Sequence, residues 1–192
     1  IRSVEILEKL VDKLLNELTI EEYNIKETHQ FLMCLPSTYY DNYDKWIRCG
    51  WALHNTNFKL FISWIYFSSQ SSKFNFDDIP GYYDMWKQMK DEGITERSIM
   101  YWAREENPFE YNRIRKETID YYIELTEEKA TEWDIANVLY QLYKDEYRCA
   151  NLKKNIWYQF KNNRWREIDS GTTLRYNISK TLSRMYSDKA GK

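Results

Sequence analysis

Eight tryptophans and seventeen tyrosines share this chain with only five glycines and three prolines. Aromatic side chains bury large areas, and few backbone positions here would break a helix, so ordered helical structure is expected rather than disorder. At 192 residues there is room for one large domain or two small ones, each with a core.

Apolar spacing says how that core is distributed. Val4, Leu7, Leu10, Val11, Leu14, Leu15 and Leu18 recur at helical intervals. They predict an amphipathic helix over 4–18 that packs on the body of the chain or on a neighbouring subunit. Leu35-Pro36-Ser37 breaks the next segment, because proline disfavours helical geometry in the residue before it. Asp41 or Asn42 caps a predicted helix over 43–54, with Trp46, Ile47, Gly50, Trp51 and Leu53 turned inward. Further helices are expected over 59–67, 83–90, 96–105 (capped by Thr95) and 109–125, the last opened by Pro108. Asp77-Asp78-Ile79-Pro80-Gly81 reads as a turn. In the second module Thr131 caps a helix over 132–144 that buries Trp133, Ala136, Val138, Leu139 and Tyr143. Ile156-Trp157-Tyr158-Gln159-Phe160 and Arg164-Trp165-Arg166-Glu167-Ile168 are the expected strands. Lys161-Asn162-Asn163 joins them in a β-hairpin, since asparagine tolerates the positive φ of a tight turn. A basic helix over 173–187 follows. The expected fold class is mainly α: a helical bundle, then a smaller helical module with one β-hairpin. The expected divisions are a leader helix at 1–28, a bundle at 29–125 and the second module at 126–192.

The net charge of −2 hides a split. Residues 1–140 carry 16 Lys/Arg against 25 Asp/Glu, and residues 141–192 carry 12 against 5. A basic end on an acidic body suits contact with phosphates, and it equally describes a solvated basic face. Lys153, Lys154, Lys161, Arg164 and Arg166 interleave with aromatics around the hairpin, the pattern that neutralises phosphates and stacks unpaired bases. Strand alternation puts Arg164 and Arg166 on one face and Trp165 on the other, which lets Trp165 be core while both arginines face DNA. Lys45, Arg48 and Arg104 form a second group in the bundle, either a binding groove or ordinary surface cations.

Signs of chemistry are few. G-x-x-x-x-G-K-[ST], G-x-G-x-x-G and G-x-S-x-G do not occur, so neither a P-loop nor a nucleophile elbow is expected, and no catalytic, cofactor-binding or metal-ligating residue is assigned. His29 and His54 lie far apart, and Cys34, Cys49 and Cys149 include no C-x-x-C pair. Free, buried thiols in a reducing compartment are expected. No apolar run approaches the ~20 residues of a membrane span. The chain opens at Ile1 without an initiator methionine and reads as a piece of a longer protein.

Two resemblances give these patterns a context. The first rests on Leu35-Pro36, Tyr43-Asp44-Lys45-Trp46-Ile47-Arg48-Cys49-Gly50-Trp51-Ala52-Leu53, Trp64, Phe67-Ser68, Trp86 and Ser98-Ile99-Met100-Tyr101-Trp102-Ala103. On these residues the block 29–107 resembles the type-two primase C-terminal domain of large DNA viruses and related mobile elements. The second rests on Asp134-Ile135-Ala136, Tyr143-Lys144-Asp145, Trp157-Tyr158, Phe160 and Asn163-Arg164-Trp165. From about Thr131 the chain is similar to the region preceding the superfamily III helicase in poxvirus-type primase–helicases. The tandem implies the middle of a nucleocytoplasmic large DNA virus replication protein, with a primase domain before it and a hexameric, ATP- and Mg²⁺-dependent helicase after it. It further implies single-stranded or forked DNA and the flanking primase and helicase domains as partners. The whole protein would be a homo-hexamer, this piece alone a monomer. The setting would be an infected host cell, in a cytoplasmic virus factory or the nucleus. The implied role is a non-catalytic DNA-handling connector, with a subunit-assembly module as the alternative.

Overall fold

The computed structural model describes residues 2–126 and 131–190, with Ala190 described by its backbone alone. Residues 127–130 and 191–192 of the expected second module lie outside the described residues. The chain divides into two compact units, 1–115 and 116–192, and the division falls within the helix Pro108–Glu124. The architecture is mainly α with one small antiparallel sheet, as the sequence patterns imply.

In the first unit α1 spans Val4–Asn16, opened by Ser3, whose hydroxyl accepts from the Ile6 N–H. Helix α2 spans Tyr23–Met33 and stops ahead of Pro36; a short α3, Thr38–Asp41, follows. Helix α4 spans Tyr43–His54 and is capped by Asn42, whose side-chain oxygen accepts from the Lys45 N–H at 3.1 Å. A 3₁₀ turn at Phe58–Leu60 leads into α5, Phe61–Ser68. Helix α6 runs Ile79–Lys87, so the expected turn at 77–81 is in fact a helix start. Pro80 sits in its first turn, where the missing N–H costs nothing. Helices α7, Glu96–Glu106, and α8, Pro108–Glu124, complete the series. Thr95 precedes α7 without capping it; the Glu96 N–H donates instead to the Thr56 hydroxyl at 2.8 Å.

The bundle is built on stacked indoles. Trp46 lies 4.7 Å from Trp64, and Trp64 lies 5.7 Å from Trp86. Gly50 of α4 is small because Trp64 occupies the space beside it: a Cβ there would sit 2.5 Å from the indole. The polar edges of Trp46 and Trp64 are satisfied, whereas the buried Trp86 Nε1 has no hydrogen-bond partner among the described residues. Trp46 Nε1 donates to Ser68 Oγ at 2.7 Å, and that hydroxyl donates to the Trp64 carbonyl at 2.7 Å. Two polar pairs share the interior. Arg115 donates to the buried Glu27 at 2.5 Å, and His29 Nδ1 lies 3.0 Å from Ser63 Oγ. Burial pushes the His29 imidazole down to about 4, opposed in part by the charge of Asp12.

In the second unit α9 spans Glu132–Tyr143 behind a reciprocal Thr131–Asp134 cap. Val138 and Gln141 are its buried residues, whereas Trp133 and Ala136, expected inside, are exposed. The sheet holds β1 Tyr147–Asn151, β2 Ile156–Lys161 and β3 Arg164–Ile168 in that order, all antiparallel. The hairpin between β2 and β3 closes on Asn162 and Asn163 at φ 53° and 59°, the paired left-handed residues of a tight type I′ turn. Strand β1 has no counterpart among the expected elements; Tyr-Arg-Cys-Ala-Asn lacks clean alternation, and a bulge at its end interrupts the pairing. The expected basic helix begins at Thr172 and is built of α10, Thr172–Asn177, a π-helical turn at Ile178–Leu182, and α11, Ser183–Ala190.

Candidate nucleic-acid interface

Register decides which side chains share a face of the sheet. Lys161 pairs with Arg164, Gln159 with Arg166, and Tyr147 with Gln159, so these five residues lie on one face. Part of that face is covered. Asn177 of α10 and Gln159 both donate to the Tyr147 phenol oxygen, at 2.9 and 3.0 Å. Gly171, beside the Trp157 ring, takes φ +69°, a left-handed conformation that favours glycine. Lys161, Arg164 and Arg166 remain exposed. Beside Lys161 a cleft of about 650 Å³ opens between the sheet and α10, floored by Gln159 and walled by Tyr176.

The opposite face carries Tyr158 and Phe160 of β2, Trp165 and Glu167 of β3, and Arg148 of β1. Trp165 is 44% exposed and Phe160 40%, with their rings 5.2 Å apart. The expected core role for Trp165 is therefore corrected. Strand alternation does send it away from the arginines, but the face it reaches leaves its ring partly in solvent. The Arg148 guanidinium lies 5.5 Å over the Trp165 ring. Its Nη1 donates to the Lys144 and Tyr147 carbonyls, which hold the group in place.

Residues 147–168 contain six Lys/Arg and a single Glu, with Asp145, Glu146 and Asp169 flanking them; Glu146 accepts from Gln159 and lines the cleft beside Lys161. Among the described residues, no carboxylate pairs with Lys153, Lys154, Lys161, Arg164 or Arg166. The last helix differs, since Arg184 faces Asp188 at 3.9 Å and Lys189 pairs with Glu124 at 2.5 Å. The structure groups Lys161, Arg164 and Arg166, while Lys153 and Lys154 sit in the β1–β2 turn at the far end of β2. Missing from the sequence reading were Arg148 and the openness of the Phe160–Trp165 face. Arg148 went unseen with its strand. Openness is a tertiary property that alternation alone does not encode.

In the first unit the second group is partly assembled. Lys45 Nζ lies 4.4 Å over Tyr39, Tyr39 lies 5.9 Å from Trp102, and Arg48 lies 5.2 Å over Trp102. Burial and the hydrogen bond it donates to Glu106 push the Tyr39 phenol up to about 12, so it stays neutral. Arg104 stands apart, over Tyr101 at 5.6 Å and beside Glu105 at 3.6 Å. Burial raises the Cys49 thiol to about 12 and the Cys34 thiol to about 11, which makes both poor nucleophiles. Among the described residues no cluster of three His, Cys, Asp or Glu is placed to hold a metal, and no helix is long and apolar enough to cross a membrane.

Residues 28–103, which include the packed Trp46, Gly50 and Trp64, match the family described as Primase C terminal 2 (PriCT-2). Over 151 residues the chain is 36% identical to "Putative helicase L207/L206" of Acanthamoeba polyphaga mimivirus, covering 77% of this chain and 15% of that protein. It is 24% identical over 162 residues to "Putative helicase 022R" of Frog virus 3, covering 82% and 16%. Against "Putative primase C962R" of African swine fever virus it is 26% identical over 161 residues, covering 78% and 16%. The chain thus spans about one-sixth of the length of these relatives and is similar to a primase C-terminal region of large-DNA-virus primase–helicases.

Proposed function

We propose that this chain is a non-catalytic connector in a viral DNA replication protein, holding primase and helicase parts in register and contacting template DNA through its second unit. The observation that carries this reading is the group of exposed cations around the sheet, which no neighbouring carboxylate neutralises among the described residues. The relatives' names supply the replication setting. In the whole protein the primase and helicase parts would use ATP and Mg²⁺, and a homo-hexamer would bring several such sheets to one template. Fluorescence anisotropy with single-stranded and forked DNA across a salt series tests the reading. Affinity that falls steeply with salt supports it, because phosphate contacts release counterions; no binding, or binding indifferent to salt, refutes it.

The assembly reading has its own support. Val4, Ile6 and Leu10 of α1 remain 38–47% exposed, and Trp133 and Tyr140 of α9 remain 57% and 58% exposed. Light scattering discriminates: a stable oligomer with no DNA affinity favours assembly, and a DNA-binding monomer favours the connector.

A further inference from the structure

We infer that the open face of the sheet is a base-stacking platform for unpaired DNA, with Trp165 and Phe160 as the stacking surfaces and Arg148 as a fixed planar cation beside them. The inference rests on the DNA-contact reading and deepens it, by naming single strands as the ligand and a different face from the arginines as the reader of bases.

Three observations carry it. Two large rings lie tilted against each other, 5.2 Å apart, and each keeps two-fifths or more of its surface exposed. Neighbouring exposed aromatics form an apolar patch of the kind that marks an interaction site. The Arg148 guanidinium donates to backbone carbonyls and lies over Trp165, which places a planar cation beside the rings. The surrounding charge selects the occupant. On the open face Arg148 and Glu167 offset each other, and the five further cations of residues 147–168 lie on the other face or in the β1–β2 turn, so a polyanion that crosses the β3 edge is favoured over an apolar protein surface. Paired bases hide their faces inside the duplex, and only a single strand can offer them to Trp165. The two faces then divide the work: Lys161, Arg164 and Arg166 meet phosphates, while Phe160 and Trp165 meet bases across the β3 edge.

The test uses the whole chain and three probes at one ionic strength: oligothymidylate, the same length of abasic deoxyribose-phosphate, and duplex DNA. The expected result is tightest binding to oligothymidylate, with roughly 5- to 150-fold weaker binding to the abasic strand. Trp165→Ala should abolish that difference while leaving abasic affinity unchanged, and Trp165→Phe should restore most of it. Quenching of tryptophan fluorescence by oligothymidylate should disappear in Trp165→Ala. Should that variant fold poorly, Phe160→Ala read against both strands serves in its place. Salt-sensitive binding that ignores the loss of bases, or that prefers duplex, overturns the platform and leaves the connector standing. No salt-sensitive binding to any probe removes both. Self-association that is lost in Trp165→Ala without DNA binding assigns the face to a second copy and overturns the inference.

Discussion

The two units spend the same residue types in opposite ways. In the first, Trp64 and Trp86 are wholly buried, Gly50 makes room for an indole, and Arg115 is paired with Glu27 inside. In the second, Trp165 and Phe160 lie open on a sheet whose cations meet no acid among the described residues. Aromatics packed against aromatics stabilise. Aromatics left beside unneutralised arginines are available to a ligand. Of the residues on which the primase-type resemblance rests, Trp46, Cys49, Gly50 and Trp64 are all buried and serve packing.

The contrast can be broken or sharpened by substitution. The largest effect should come from Trp64→Ala, which empties the centre of the indole stack and should cost about 3–5 kcal/mol in chemical denaturation. Next is acid sensitivity from His29. Below its ordinary value of 6.5 the unfolded chain takes a proton that the folded chain refuses until about 4. Stability should therefore fall as pH drops through that window, by up to about 3 kcal/mol. Denaturation midpoints for wild type and His29→Gln at pH 7 and pH 4.5 check this, and the variant should lose less. Trp165→Ala should cost less than Trp64→Ala, about 1–2 kcal/mol, because nearly half of the side chain is already solvated. A loss equal to that of Trp64→Ala would return Trp165 to the core and erase the contrast. Smallest of all, Arg164→Ala with Arg166→Ala should leave stability within about 0.5 kcal/mol, since both are exposed and neither pairs with a carboxylate among the described residues.

Much of this was legible from residue order, and the failures have physical causes. Helix α4 was readable because Asn42 caps it and Trp46, Gly50 and Leu53 share a face. The hairpin was readable because Asn162-Asn163 fits one turn type well. Strand β1 was not, because its five residues carry no alternation and its existence depends on β2 beside it. Pro80 misled because proline both breaks a helix and opens one, and only the following packing of Trp86 decides. For the candidate site, alternation correctly separated Trp165 from Arg164 and Arg166. It could not say that Trp165 would stay 44% exposed on the face it reaches, since burial on a strand depends on what lies across from it.

The central claim is electrostatic, and the salt slope of single-strand affinity measures it most directly. Wild type should lose affinity steeply as salt rises, and Arg164→Ala with Arg166→Ala should flatten the slope of log K against log salt by about 1.4 for two single-strand phosphate contacts. Identical slopes in the two proteins would show that these arginines meet no phosphate, and the account of the second unit would be wrong.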